Sequence, residues 1–295
     1  MKTKIPDELK ADVPPSLWGK ILSATPVVMT VVATMLAGLA SSEMTRAQYD
    51  RAYAAQLQSK AGDQWNYFQA KKLRGAIQRN SLELLRVSTE VRPLDLAAIE
   101  KTGGDKSIFG TADNLLSNAV GTPSFDPAVK AAFDALAADK PETELTELLK
   151  PVDDRPLAEA LSAAKERART FDASIGAITP GFDQMEKKLA TGDKALSRDM
   201  LVARMEFNAR RYDAEARLNQ TIASLYELQV RKNNISAERH HKRSQKFFFG
   251  MLAAQAAVII ATFALAARKR SLLWSLAAAA GIAAVLFAIY VYLFV

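Results

Sequence analysis

The sequence predicts an all-α protein with three transmembrane helices, an antiparallel long-helix (coiled-coil-like) stalk and a small helical cap. Three observations support this fold class: apolar stretches near both ends, two long segments almost free of proline and glycine, and a proline-punctuated middle without strand-like alternation. The chain of 295 residues has no cysteine. Disulfides, thiolate metal sites and cysteine nucleophiles are therefore excluded.

The first transmembrane helix is predicted over residues 17–40, after an N-terminal tail of residues 1–16. Ile21–Ala40 contains no charged residue, and about 20 helical residues span a hydrocarbon core about 30 Å thick. The alternative is a cleaved signal peptide, because Gly38-Leu39-Ala40 resembles a cleavage site. The long leader of mixed charge favours an uncleaved anchor.

The second and third transmembrane helices are predicted over residues 247–267 and 272–295, joined by a basic hairpin loop at 268–271. Positive charges in a short loop favour the cytoplasmic side, which would place the central region outside the cell. Basic residues on the other side of the second span argue for the opposite orientation. The expected topology signals and lipid headgroup contacts are Arg239, Lys242, Arg243, Lys246, Arg268, Lys269 and Arg270.

Two long helices, 41–92 ascending and 195–246 descending, are predicted to form the stalk. In the first, an apolar stripe with helical spacing contains Ala70, Leu73, Ile77 and Leu84. A comparable stripe in the second helix includes Leu218, Ile222 and Leu225. We expect the two stripes to bury each other, although polar interruptions make the pattern impure for a coiled coil.

The cap is predicted over residues 93–194 as short helices, partly flexible. Asp126-Pro127 is typical of an N-cap followed by proline at the first helical position. Pro141 and Pro156 are expected to open two further helices.

A docking face is the main candidate site of the long helices. Trp65, Gln69 and Lys72 share one face, with Phe68 beside them, and aromatic and cationic side chains dominate binding hot spots. The alternative is stalk packing. The adjacent His240 and His241 point about 100° apart on a helix, so one chain cannot chelate a metal with them. The sequence contains no recognisable catalytic, cofactor or metal motif.

The run from Asp63 to Arg74, DQWNYFQAKKLR, resembles a run in the uncharacterised bacterial membrane family called domain of unknown function 4337. The end of the chain is similar too, with His240-His241, the basic loop and the last span. The resemblance covers about residues 17–90 and 195–295. It implies one N-terminal span, a helical middle and a C-terminal hairpin of spans in the bacterial inner (plasma) membrane. The family has no established activity, so no catalytic residues carry over.

The expected function is therefore a membrane-anchored, non-enzymatic scaffold whose stalk and cap dock a partner or oligomerise, without cofactors. Its expected partners are the lipid bilayer and a second copy or another membrane protein. Nucleic acid is not expected, because basic and acidic residues are interleaved. The central domain is expected on the periplasmic side, with the cytoplasmic side as the alternative. A second hypothesis is an accessory or pore-forming subunit of a channel or export complex, supported by Gln255 in an apolar span.

Overall fold

The computed structural model describes residues 17–119, 124–266 and 271–294. Within these ranges every regular element is a helix, which confirms the all-α prediction. The helices are α1 (Leu17–Ser88), α2 (Leu96–Lys101), α3 (Ser107–Ala119), α4 (Pro127–Ala137), α5 (Glu142–Leu149), α6 (Asp154–Ala190), α7 (Lys194–Ala266) and α8 (Ser271–Phe294).

The two long helices, α1 and α7, each combine an apolar half with a polar half. α1 has 72 residues and continues from the first apolar stretch into the polar region without interruption. α7 has 73 residues and begins behind Asp193, whose carboxylate accepts hydrogen bonds from the backbone N–H groups of Ala195 and Leu196. Such a cap satisfies donors that a helix start leaves unpaired.

In the part of the chain that the structure describes, two helices, not three, are long and apolar enough to cross a membrane. They are Ser23–Ser88 within α1 and Lys194–Ala264 within α7. The predicted third span lies in α8, where the apolar stretch covers only Ser275–Phe287 among the described residues. Among the described residues the structure therefore shows two long apolar helices instead of the three predicted. The third span over residues 272–295 stays a prediction. The basic loop residues Arg268, Lys269 and Arg270 lie outside the described residues.

The chain folds into two compact units. Unit 1 comprises Met1–Ala52 and Asn234–Val295, and unit 2 comprises Tyr53–Asn233. In unit 1, α1, α7 and α8 pack through small side chains, with Ala33, Ala254 and Ala284 in one buried cluster. At Gly281 of α8 an added Cβ would lie 2.6 Å from the sulfur of Met29 of α1, so glycine permits close approach of these helices.

In unit 2, the segment of α7 from residue 202 to 230 is the central element, because buried residues recur on more than one of its faces. α3 packs on α6, and α4 packs on both α5 and α6. Phe182 of α6 and Phe207 of α7 stack with ring centroids 4.8 Å apart. This core contains Ile99, Leu116, Phe171, Ile175, Phe182, Met185, Met200, Phe207 and Leu218.

The helix starts in the predicted cap follow the sequence in part. Asp126 caps α4 by accepting hydrogen bonds from Ala128 and Val129, with Pro127 at the first turn, as predicted. Pro141 stands at the start of α5. α6, however, is one helix of 37 residues that contains Pro180. The predicted division into stalk and cap stays a prediction.

The predicted stripe on α1 is on the wrong face. Leu73, Ile77 and Leu84 are 63%, 53% and 72% exposed and do not pack against α7. Instead, an inner row of α1 is buried or half-buried, and it contains Leu57, Ala61, Phe68, Gly75 and Leu82. At about 100° per residue the two rows lie about 180° apart. The stripe prediction failed because α1 carries two rows with helical spacing, and the sequence does not say which one the core covers.

Candidate functional site: the faces of α1 and an arginine-lined cavity

The predicted docking face is divided between the core and solvent. Trp65 and Phe68 are half-buried and make an edge-to-face ring contact with centroids 5.3 Å apart. Gln69 and Lys72 are exposed, and the Lys72 ammonium lies 5.9 Å from the centroid of the Phe68 ring. The four residues are therefore neighbours, but the two aromatic side chains point towards the interior of unit 2 and the two polar ones towards solvent.

Trp65 ties α1 to α7. Its indole Nε1 donates a hydrogen bond to Glu227 Oε1 over 2.6 Å. Because an indole N–H needs a partner when its ring leaves water, this contact fixes both the ring and the carboxylate. This contact agrees with the packing alternative for Trp65, and the docking role stays a prediction.

Further along the inner row, charged groups join α1 and α7. Glu215 is 3% exposed and pairs with Lys71 of α1 and with Arg211 one turn earlier on α7. Burial and the negative charge of Glu215 raise the pKa of Asp172, with Lys71 and Arg211 opposing the shift. Removal of one partner from such a buried set leaves an uncompensated charge, so the network fixes the register of the two helices.

A cavity of about 520 Å³ lies within unit 2, beside Trp65. Three arginines line it: Arg167 from α6, and Arg217 and Arg231 from α7. Phe133 and Leu136 of α4 contribute an apolar wall. This volume falls within the range of about 300–1,000 Å³ that is typical of small-molecule sites.

The three arginines differ in what already binds them. Arg167 donates a hydrogen bond to the carbonyl oxygen of Asn118 over 2.5 Å, and Arg231 pairs with Glu142. Among the residues that the structure describes, no side-chain partner is found for the Arg217 guanidinium. Arg217 is an exposed residue at the cavity, and its donors are therefore available to a ligand.

An exposed outer row runs along α1 opposite the inner row. Its members are spaced by three and four residues in turn, which is the heptad spacing of helices that pack side by side. The row contains Ala70, Leu73, Ile77, Asn80, Leu84 and Val87, and Val87 is 90% exposed.

The predicted topology residues of α7 lie in unit 1 and differ in their contacts. Arg239 and Lys242 are exposed, and Lys242 pairs with Glu238 over 3.4 Å. Arg243 is half-buried, with Nη1 3.7 Å from Glu43 Oε1. The Lys246 ammonium lies 5.5 Å from the centroid of the Tyr290 ring.

Glu43 was not singled out from the sequence, yet it organises this end of unit 1. It is 8% exposed, and its Oε2 lies 2.5 Å from Nδ1 of His240. Next to it, the Ser244 hydroxyl donates to the Ala40 carbonyl over 2.7 Å. His240 thus contacts a carboxylate of α1. Within the described residues, no group of three or more carboxylate or imidazole ligands could hold a metal.

The cavity arginines were also missed, although a signal was present. Four polar residues recur at three-, four- and seven-residue steps on a segment whose apolar residues are buried: Arg217, Thr221, Ser224 and Arg231. A polar row on a central helix indicates either a water-filled gap or a ligand.

These features define a class: an all-helical protein with two long helices, each with an apolar segment suited to a membrane and a polar segment that packs in a helical unit. The family described as Domain of unknown function (DUF4337) matches residues 18–105. The resemblance inferred from the run at 63–74 is therefore confirmed over this part of the chain. For residues 195–295 it stays a prediction. No curated protein and no solved structure matches the chain.

Proposed function

We propose that the protein is a membrane-anchored, non-enzymatic scaffold that pairs with a second copy of itself through the outer row of α1. The observation that carries this proposal is the row of exposed apolar side chains at heptad spacing in unit 2. We further propose that the membrane is a bacterial inner membrane and that unit 2 faces the periplasm.

The apolar segments of α1 and α7 support the anchor. Only 22% and 33% of their most apolar windows are buried. A core helix of a water-soluble protein would bury most of such a window, whereas lipid stabilises an exposed one. Side chains that are between 54% and 66% exposed here include Val27, Val28, Val31, Met35, Ile259 and Phe263.

The outer row fits a second helix better than it fits lipid or water. It extends over 18 residues of α1 and contains Asn80 at one seam position. Knobs-into-holes packing demands this spacing, and a single polar residue in the seam fixes register and partner number. A row in contact with lipid would gain nothing from Asn80.

The anchor determines the direction of pairing. Two copies inserted with the same orientation carry α1 in parallel, so each seam residue faces its own equivalent. At the flanking positions 69, 74, 76, 81, 83 and 88 the only charged residues are Arg74 and Glu83. Because parallel helices bring position 69 next to 74 and position 83 next to 88, no like charges face each other.

The absence of native cysteine permits a clean test. Leu73→Cys and Leu84→Cys, made separately, should each form a disulfide-linked dimer when intact membranes are oxidised. A disulfide requires Cα atoms about 4.4–6.8 Å apart, which only residues facing their own equivalents reach. Lys72→Cys is the matched control, because Lys72 is exposed but off the seam.

Three outcomes would overturn the pairing: no cross-link at either seam position, an equal yield at Lys72→Cys, or a cross-link only between Leu73→Cys and Leu84→Cys chains mixed together. The last result would mean antiparallel helices, which co-inserted copies cannot form. A separate assay tests the orientation. A cysteine at the exposed Gly110 should react with a membrane-impermeant maleimide added from the periplasmic side.

A pore-forming or accessory channel subunit is the second candidate. Gln255 is exposed in the apolar part of α7 and, with Thr30 and Thr34, lines a cavity of about 440 Å³ within unit 1. Both threonine hydroxyls, however, donate to carbonyls of their own helix, which leaves little polarity for a conduction path. Ion flux in reconstituted vesicles that is lost in Gln255→Leu would favour this candidate over the scaffold.

A further inference from the structure

We propose that the arginine-lined cavity of unit 2 binds a small organic oxyanion, that is, a phosphate or carboxylate group attached to an apolar or aromatic body. This site is independent of pairing through the outer row, since all residues that line it belong to unit 2 and none to that row.

The charge of the lining selects the anion. Of its three arginines, Arg231 is already paired with Glu142, which leaves Arg167 and Arg217 as the cations available to an anion. Of its two carboxylates, Asp139 and Glu227, the second accepts the Trp65 indole hydrogen bond. Arg217 contributes donors in a planar fork that matches the oxygens of carboxylate and phosphate groups. The hydroxyl of Ser224 lies about two turns further along the same side of α7.

The opposite wall selects the apolar body. Phe133 and Leu136 come from α4, and the Trp65 ring lies on the α1 side. Phe125 holds Phe133 in place, with ring centroids 5.4 Å apart. An inorganic ion would leave this wall in contact with water, whereas an aryl or alkyl group would bury it.

Arg167 and Arg231 each already have a partner, and for this reason Arg217 is the cation that matters most for anion binding. The Arg167 guanidinium donates to the Asn118 carbonyl and the Arg231 guanidinium pairs with Glu142, and these contacts hold both groups at the cavity edge. Arg167 keeps its positive charge in a fixed position, the charge of Arg231 is offset by Glu142, and Arg217 supplies the free hydrogen-bond donors. Arg217 is therefore the residue whose charge the bound anion depends on most.

The experiment uses the full chain in a nonionic detergent, with Trp18→Phe and Trp274→Phe so that Trp65 is the only tryptophan. Phenyl phosphate and benzoate are the probes, and inorganic phosphate and phenol are the two half-ligands. Affinity is measured by titration calorimetry at constant ionic strength, and Trp65 fluorescence reports occupancy of the cavity. We expect both probes to bind saturably and to change this fluorescence, and each half-ligand to bind at least about 10-fold more weakly.

Arg217→Gln should weaken phenyl phosphate binding by about 10-fold or more, since a charge-assisted hydrogen bond is lost. Arg169→Gln is the matched control, because Arg169 lies on α6 two residues after Arg167 and is 78% exposed. If Arg217→Gln unfolds, a second measurement decides: probe binding should raise the unfolding temperature of the parent chain in proportion to its affinity.

The proposal is overturned if neither probe binds at up to about 10 mM, beyond the millimolar end of the affinity scale. It is equally overturned if inorganic phosphate or phenol binds as tightly as phenyl phosphate. An equal loss of affinity in Arg169→Gln and Arg217→Gln would also overturn it, because a diffuse surface charge would then explain the binding.

Discussion

Two leucines of α1, two residues apart, give the sharpest test of which face the core covers. Leu82 belongs to the inner row and is 6% exposed, whereas Leu84 belongs to the outer row and is 72% exposed. The same substitution, leucine to alanine, removes the same atoms from both positions. Any difference in the free energy of unfolding therefore reports burial alone.

The magnitudes follow from the exposed fractions. Loss of three buried carbon groups at about 0.8 kcal/mol each gives about 2 kcal/mol for Leu82→Ala, and the cavity left behind raises this to about 2–4 kcal/mol. Leu84→Ala should cost about 0.5 kcal/mol, because most of that side chain is in water when the chain is unpaired. Leu84→Ala should instead weaken dimerisation.

Urea unfolding of the full chain in micelles measures both effects, with Trp65 fluorescence as the reporter of the α1–α7 contact. At a low protein concentration, Leu82→Ala should lower the midpoint several times more than Leu84→Ala does. At a high concentration, the parent chain should gain stability that Leu84→Ala lacks. Equal losses for the two variants at low concentration would refute the assignment of the faces.

Three further predictions concern charged groups. Glu215→Ala should lower the free energy of unfolding by about 1.5–3 kcal/mol, because it removes the buried carboxylate that pairs with the half-buried Lys71 and Arg211. Glu206→Ala, at a side chain that is 44% exposed, should change it by less than about 1 kcal/mol. Equal losses in urea titrations would contradict the network. Glu43→Ala should destabilise unit 1 more than Glu238→Ala, because Glu43 is 8% exposed and Glu238 is about half exposed. Hydrogen exchange of the α1 amides near residue 43 measures the loss of stability, and unchanged protection in Glu43→Ala would contradict the prediction. Asp172→Asn should stabilise the chain at pH 7, because the raised pKa of Asp172 means that ionisation of this carboxyl opposes folding. The effect should disappear below about pH 3.8, where the carboxyl is protonated in both states. A variant that is less stable than the parent chain at pH 7 would contradict the assigned sign.

The sign of the Asp172 effect follows from linkage. In the folded chain the carboxyl has a pKa above its ordinary value, so the folded state holds the proton to higher pH than the unfolded state does. The stability associated with this group is therefore complete below the unfolded pKa and declines as pH rises through the folded pKa. Asparagine cannot ionise, so the decline should be absent in the variant.

The sequence by itself determined the helical class and the ends of several helices. Asp126-Pro127 and the long segments almost free of proline encode helix starts and continuity locally, through capping and backbone propensity. The run from Asp63 to Arg74 was also sufficient to predict the resemblance to the family whose model matches residues 18–105, since a linear motif needs no tertiary information.

Only the tertiary structure decided which side of each helix is covered. α1 carries two rows with helical spacing, and the choice between Leu82 and Leu84 depends on what α7 presents to it. The role of Trp65 depends likewise on Glu227, which lies 162 residues away along the chain. The arginine-lined cavity arises from α1, α3, α4, α6 and α7 together. Helix propensity is a local property of the chain, whereas burial and charge pairing depend on groups that meet only after folding, and for that reason the sequence could not indicate them.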